Sequence, residues 1–395
     1  MKLFNKFMQL CDTKKNHYVP RFYLEQFGDS NSKIYLYDKV KKEIRFVSNP
    51  MSIGFENDLY TIKKKLTLKD ISLLKKISNV KDSDIIANTT IDLLVSFLND
   101  ELGKLVEITV ENRSDAAELT DILKKEMIET LDEPDISRNQ ELLFCEYENS
   151  FLPIYNEILA SEKISLNTDI GEPLLSYLPT KIVLYVYEAI PKKMVMLHKE
   201  VPNIKQEFTN LSRKIRSEIT SVNLYDFIHY IVIQRLRVPD SFKLFGSFGN
   251  DKTEMKNVFE SKYGVDVNNF MHLFIHFSSI VLTNSLIANK FKIILIKNKS
   301  KTPFITSDNP SVNPYASIKN GESLTNNEIE LYFPLSPKLA VLYSNQCIDP
   351  DFNAITNEIE IIDDSKIKYW NDLIAKEATR YIFSDAKAAL EKFNP

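Results

Sequence analysis

The spacing of apolar residues changes twice along the chain, and each change predicts a different kind of secondary structure. Near the N-terminus, Ile34-Tyr35-Leu36-Tyr37 and Ile44-Arg45-Phe46-Val47 flank the polar stretch Asp38 to Glu43, a pattern that predicts a β-hairpin. Before it, Pro20 suits a first helical turn and Gly28 its end, so a short helix is expected from about Val19 to Phe27. Ser48 to Tyr60 carries Pro50, Gly54, Glu56 and Asp58 and reads as a loop returning to the core. From about Leu66 to Lys262 the period is helical. Ile91, Leu93, Leu94, Phe97 and Leu98 form one stripe, and Leu142, Phe144, Cys145, Phe151 and Ile154 another. Glu133-Pro134-Asp135 and Val201-Pro202-Asn203 read as breaks between helices.

After about Asn289 the period becomes two. Phe291 to Ile296, Phe304 to Thr306, Ile329 to Phe333, Leu339 to Tyr343 and Ile359 to Ile362 read as strands. Ile367, Trp370, Leu373, Ile374 and Ala378 line one face of a late helix, and Tyr381-Ile382-Phe383 predicts a last short strand. Pro310 to Asn327 is a long polar connection. The fold class expected is α+β: a mainly helical middle bracketed by an N-terminal β-hairpin and a C-terminal, mostly antiparallel sheet. Residues 1–15 read as an extension and 16–395 as one domain. Within it, 16–60 is the hairpin unit, 66–289 the helical region and 290–384 the sheet region, with the hairpin expected to join the C-terminal sheet.

Composition narrows the class. Only 8 glycines in 395 residues disfavours a Gly-rich nucleotide-binding fold or a turn-dense sandwich. The net charge of −4 excludes a globally basic nucleic-acid binder but leaves room for a local basic groove. The lysines between Lys63 and Lys76 read as a solvated face. Cys11, Cys145 and Cys347 are far apart without CxxC spacing, which predicts neither a disulfide framework nor a zinc knuckle and fits a reducing cytoplasm. Met1 to Phe7 is too short, and too polar downstream, for a signal peptide. The apolar run Phe277 to Ala288 is broken by Ser278, Ser279, Thr283, Asn284 and Ser285, so no membrane span is expected and the chain reads as soluble.

Candidate chemistry clusters in a few strings. His17 precedes an expected helix start, where positive charge keeps an imidazole neutral and able to act as base, acceptor or metal ligand. Tyr18 accompanies it, and Arg21, one turn on, can grip phosphate or carboxylate. The structural alternative is that His17 and Tyr18 anchor the helix and Arg21 pairs with an acid. In Thr306-Ser307-Asp308-Asn309-Pro310, short polar side chains end a strand; Asp308 suits a metal or an orienting role, or else the string is an Asx-type turn. Gln234 and Arg237 share a helix face near Pro239, and Glu148 falls beside an apolar stripe, where it wants a partner such as Arg237. His272 and His276 have zinc-like spacing, but Leu273 stands where HExxH needs glutamate. His198 and His229 have no companion motif. Ser336 lacks a GxSxG elbow. No Walker A, dinucleotide, EF-hand or kinase signature is present.

Together, His17 to Leu24 with Phe27, Phe304 to Pro310 and Pro334-Leu335-Ser336-Pro337 resemble the bacterial family known as domain of unknown function 4238. Glu56 to Tyr60, Glu148, the Gln234…Arg237…Pro239 pattern and Asn371 are similar too, so the likeness runs from about His17 to Ser384. Val238 stands where the pattern favours threonine. The resemblance carries no settled activity; it implies that these separated polar motifs belong to one recurring pattern. The leading expectation is a metal-assisted hydrolase of a phosphate-containing substrate, a nuclease or nucleotide hydrolase, with a role in phage defence suggested by the character of the family. In it His17, Asp308 and Glu148 are catalytic, with Asp308 and Glu148 holding a divalent Mg or Mn. Tyr18, Arg21, Gln234, Arg237, Ser307 and Asn309 bind nucleic acid or a nucleotide. The rival is a non-enzymatic binding or regulatory module with an anion-binding polar pocket.

Overall fold

The chain enters the fold through a three-residue strand, β1 (Lys15–His17), which pairs antiparallel with β4 (Phe55–Asn57) so that Asn16 faces Glu56 and His17 faces Phe55. A computed structural model describes residues 15–29, 33–101, 104, 107–108, 136–164, 166, 210, 213, 223–239, 241, 259–288, 292–315, 330–344 and 358–393. The expected helix breaks at 133–135 and 201–203, His198, Cys11, Cys347 and most of the polar connection before Asn327 lie outside these residues.

The short helix is α1 (Arg21–Leu24), continued as a 3-10 turn to Phe27. Pro20 precedes it as the extended cap residue rather than opening it. The hairpin forms as expected from β2 (Ile34–Asp38) and β3 (Glu43–Val47), with Tyr35 opposite Phe46. Ser48 to Tyr60 is not all loop, since it contains β4. Gly54 lies just before that strand at a φ of +67°. Its carbonyl accepts the main-chain N–H groups of Tyr18 and Val19, at 3.0 and 3.2 Å.

The helical middle contributes α2 (Leu68–Ile77), α3 (Ile85–Leu98), α4 (Asn139–Ser161), α5 (Asn223–Leu236) and α6 (Val267–Ala288). Helix α5 packs against both α4 and α6, and α3 packs against α6. Phe151 of α4 stacks on Tyr230 of α5 with ring centres 3.7 Å apart, a contact typically worth about 1 kcal/mol beyond area burial. Helix α6 is 22 residues and, by length and composition alone, apolar enough to cross a membrane, contrary to the expectation drawn from its serines and threonines. Most of it is buried inside the protein, with Asn269, His272, His276, Ser279 and Thr283 among the buried positions. The hydroxyls of Ser279 and Thr283 donate to helix carbonyls one turn back, which is why they did not break it.

Two four-stranded sheets complete the fold among the described residues. One runs β7 (Glu330–Pro334), β8 (Leu339–Ser344), β5 (Lys292–Asn298), β9 (Glu358–Ile361), antiparallel except for the parallel β5–β9 pair. Its residues divide by parity: Leu331, Phe333, Leu339, Val341 and Tyr343 join the helical core. Tyr332, Ala340, Leu342, Ile294 and Ile296 join a second core with Trp370 and Ile374 of α7 (Asp364–Glu377). Both faces are therefore covered, so these strands are apolar on both sides instead of alternating with the period of two expected from the sequence. In the other sheet, order β3-β2-β10-β6, the hairpin pairs through β2 with β10 (Tyr381–Ser384), and β10 with β6 (Thr306–Ser307). The hairpin thus joins C-terminal strands, and the fold is α+β. Helix α8 (Lys387–Glu391) closes the chain's described portion.

Candidate functional site

Pro239 stops the α5 region and leaves Arg237 just past the helix end, with its side chain fully buried. Burial of a guanidinium is tolerable only when its donors are used. Nε donates to the main-chain carbonyl of Tyr18 at 3.0 Å, and Nη1 donates to Oε1 of Glu148 at 2.7 Å. Gln234, with its amide oxygen turned to the guanidinium as hydrogen bonding requires, accepts from Nε and Nη2 at 3.1 and 3.2 Å. The ring of Phe144 lies 5.5 Å from the guanidinium carbon. Burial disfavours the charged form of Arg237, but Glu148 outweighs it and the pKa is raised.

Tyr60 sits at the middle of this group. Its hydroxyl donates to the Arg237 carbonyl at 2.9 Å. Burial raises its pKa, Arg237 opposes that, and the carboxylates of Glu148, Glu141 and Glu56 add to it. Glu141 and Glu148 are seven residues apart on α4 and so share a face two turns apart. Both keep contact with solvent, with side chains 13% and 22% exposed. Burial pushes the Glu141 carboxyl up to about 7, against Arg138 at 3.1 Å and a hydrogen bond from Asn16, with the charge of Glu148 adding to the rise. Burial also raises Glu148, with Arg237 opposing. Asn16 ties the strand in by accepting from the Tyr60 N–H at 3.1 Å.

Of the residues expected from sequence, Tyr18, Glu148, Gln234 and Arg237 come together here. His17 alternates with Asn16 along β1 and is half-buried, its ring 5.5 Å from that of Phe55. Arg21 is half-exposed and pairs with Glu25 one turn on, at 2.6 Å. Asp308, Ser307 and Asn309 form a second, fully buried network. The Asp308 carboxylate accepts the N–H groups of Thr379, Arg380 and Tyr381 at 2.8, 2.7 and 2.9 Å. The Ser307 hydroxyl donates to the Asn309 carbonyl and accepts the Asn309 N–H, while Asn309 Nδ2 donates to the Glu377 carbonyl. Only the Ser307–Asn309 contacts are local turn chemistry; the Asp308 carboxylate instead caps a main-chain segment about seventy residues away, so it does not close the Asx-type turn that the string suggested. Tyr18 links the two networks: its carbonyl serves Arg237, and its buried phenol has a pKa raised first by burial and then by Asp308.

Glu141, Asn16 and Arg138 were not singled out by sequence reasoning. The available signal was the seven-residue interval between Glu141 and Glu148, which places both on one helix face. Among the described residues, no three His, Cys, Asp or Glu side chains gather into a set that could hold a metal ion. His276 instead accepts or donates to the Tyr147 hydroxyl at 3.0 Å, and His229 meets the Ser279 hydroxyl at 3.0 Å.

The family model described as "Protein of unknown function (DUF4238)" matches residues 15–178 and 197–388. No curated protein and no solved structure matches the chain.

Proposed function

The chain belongs to the DUF4238 family, and for it we propose an acid–base hydrolase whose working groups are Glu141 and Glu148 beside Tyr60 and Arg237. The observation that supports this most is Glu141: a carboxyl with limited solvent access, held near neutrality next to a second carboxyl with an arginine partner. At neutral pH such a group populates both protonation states, so it can give a proton to a leaving group and take one from water. Glu148, hydrogen-bonded to Arg237, is favoured as the anion of the pair. Arg237 acts on Glu148 rather than on substrate, because its donors already face Tyr18, Gln234 and Glu148.

The carboxylates of Glu56, Glu141 and Glu148 around Tyr60 favour a neutral or cationic substrate. The metal-assisted version, a nuclease or nucleotide hydrolase in phage defence, requires a divalent cation to offset these carboxylates, and among the described residues no three gather into a set that could hold one. A binding or regulatory module is the second reading, favoured by the completeness of the Arg237 network.

A hydrolase panel separates the three. Chromogenic esters, glycosides and phosphate esters, with nucleotides and nucleic acids, are tested with and without Mg²⁺ or Mn²⁺, using wild type, Glu141→Gln and Glu148→Gln. The expected result is metal-independent turnover of a neutral substrate, reduced at least ~100-fold in folded Glu141→Gln. Turnover restricted to phosphate substrates and dependent on metal selects the nuclease version. No turnover anywhere selects the binding module, and turnover that survives Glu141→Gln overturns the role given to Glu141.

A further inference from the structure

Beside this centre, the segment from β4 to Lys63 and the first turns of α6 line a cavity of about 300 Å³ that is open to solvent on one side. That is the lower end of the range for small-molecule pockets. Its walls include Glu56, Asp58, Lys63, Asp266, Asn269 and His272. We propose that this cavity binds a small organic cation, a molecule carrying a primary amine or guanidinium.

Charge is the first argument. Glu56, Asp58 and Asp266 face a single lining lysine, Lys63. Asp266 is partly committed, since it accepts the N–H of Asn268 at 3.1 Å and pairs with exposed Lys64 at 3.7 Å. Glu56 and Asp58 enter no ion pair among the described residues. His272 adds no positive charge near neutrality, because burial lowers its pKa to about 4.

The second argument is independent of charge. Asn269 lines the cavity, is 5% exposed, and its side-chain oxygen accepts no hydrogen bond. A buried carbonyl left this way is unfavourable, and its amide can turn either end to a visitor. An ammonium or guanidinium supplies several N–H donors at once, enough to satisfy Asn269 and a carboxylate together. An anion meets the opposite: three carboxylates and no unpaired guanidinium. The assignment holds whether or not Glu141 takes part in a reaction.

Calorimetric titration of the full chain with putrescine and with agmatine at low salt tests it. The expected result is saturable binding of one molecule per chain, weakened at least tenfold in Glu56→Gln/Asp58→Gln and in Asn269→Ala, and unchanged in Asp82→Asn on a remote exposed turn. Glu56 and Asp58 are exposed, but Asp58 sits at a φ of +55°, so thermal melts check the fold of the double variant as well as of Asn269→Ala. Absence of saturable amine binding overturns the proposal, as does binding that the acid double variant leaves intact. Saturation by Mg²⁺ alone, or by AMP in place of the amines, also overturns it.

Discussion

Asp308 and Arg380 are joined through the main chain: the Arg380 N–H donates to Asp308 Oδ2 at 2.7 Å, while the guanidinium of the same arginine closes on Asp38 at 3.0 Å. The polar string after β6, the start of β10 and the end of β2 are thereby clamped at one point. Asp308→Ala leaves three main-chain donors without their acceptor, and the expected loss is about 3 kcal/mol or more. A lower urea midpoint at unchanged slope is the predicted readout. A variant with the wild-type midpoint but altered function would return Asp308 to the chemistry.

Arg237 and Glu148 form the corresponding clamp in the helical half. Arg237→Ala strands Glu148 in a largely buried setting and is expected to cost roughly 3–5 kcal/mol. Replacing both, as Arg237→Met with Glu148→Leu, removes the stranded charge along with its partner. The double variant should therefore lose less than the sum of the single losses, by about 1–3 kcal/mol in a denaturation cycle. Additive losses would mean that the two side chains do not depend on one another.

Much of the fold was legible because its core elements carry strong periods. The β2–β3 hairpin shows a polar turn between two apolar runs, and β5, β7 and β8 are apolar on both faces because both faces are covered. Strands β1 and β4 left no such trace. They are three residues long, include Asn16, Glu56 and Asn57, and exist because of pairing across forty residues of sequence. The Arg237–Glu148 pair was readable from a carboxylate beside an apolar stripe, whereas Glu141 was not singled out. Its raised pKa comes from burial, with the charge of Glu148 adding to it and Arg138 and Asn16 opposing, and only the tertiary fold delivers that burial. Asp308 was ambiguous for the reason that a turn-forming aspartate and a ligating one have the same local sequence; the three N–H groups that claim it lie seventy residues downstream.

Gly54 offers a test of how tightly the N-terminal string is held. Its φ of +67° disfavours any side chain, and a Cβ there would lie 3.2 Å from Cβ of Val19. Gly54→Ala is expected to cost about 1–3 kcal/mol and to speed amide exchange at Tyr18 and Val19, whose N–H groups bind the Gly54 carbonyl. Unchanged protection at those two amides would show that the turn does not depend on glycine.

Arg21 behaves differently from the buried arginines. Its pair with Glu25 is one turn apart on α1 with both side chains more than one-third exposed, so solvent screens it. Arg21→Ala should change stability by less than about 1 kcal/mol in thermal melts. A larger loss would place Arg21 in a network of the Arg237 kind.

The pH dependence of stability isolates Glu141. Its carboxyl titrates at about 7 in the folded chain against an ordinary 4.5, so between these values the folded state holds a proton that the unfolded state has released. Stability from this group is therefore full below about 4.5 and is lost as pH rises to about 7, by roughly 3 kcal/mol at 1.36 per pH unit. His272 works the other way: its pKa, lowered from 6.5 to about 4, removes stability as pH falls through that interval. In the wild type the two slopes partly cancel between about 4.5 and 6.5. Glu141→Gln keeps the neutral form at every pH, so its stability relative to wild type should climb across pH 4.5–7 and then level off. Parallel curves for the two proteins over that range would mean that Glu141 ionises as an ordinary carboxylate, and the acid–base reading would lose its central group.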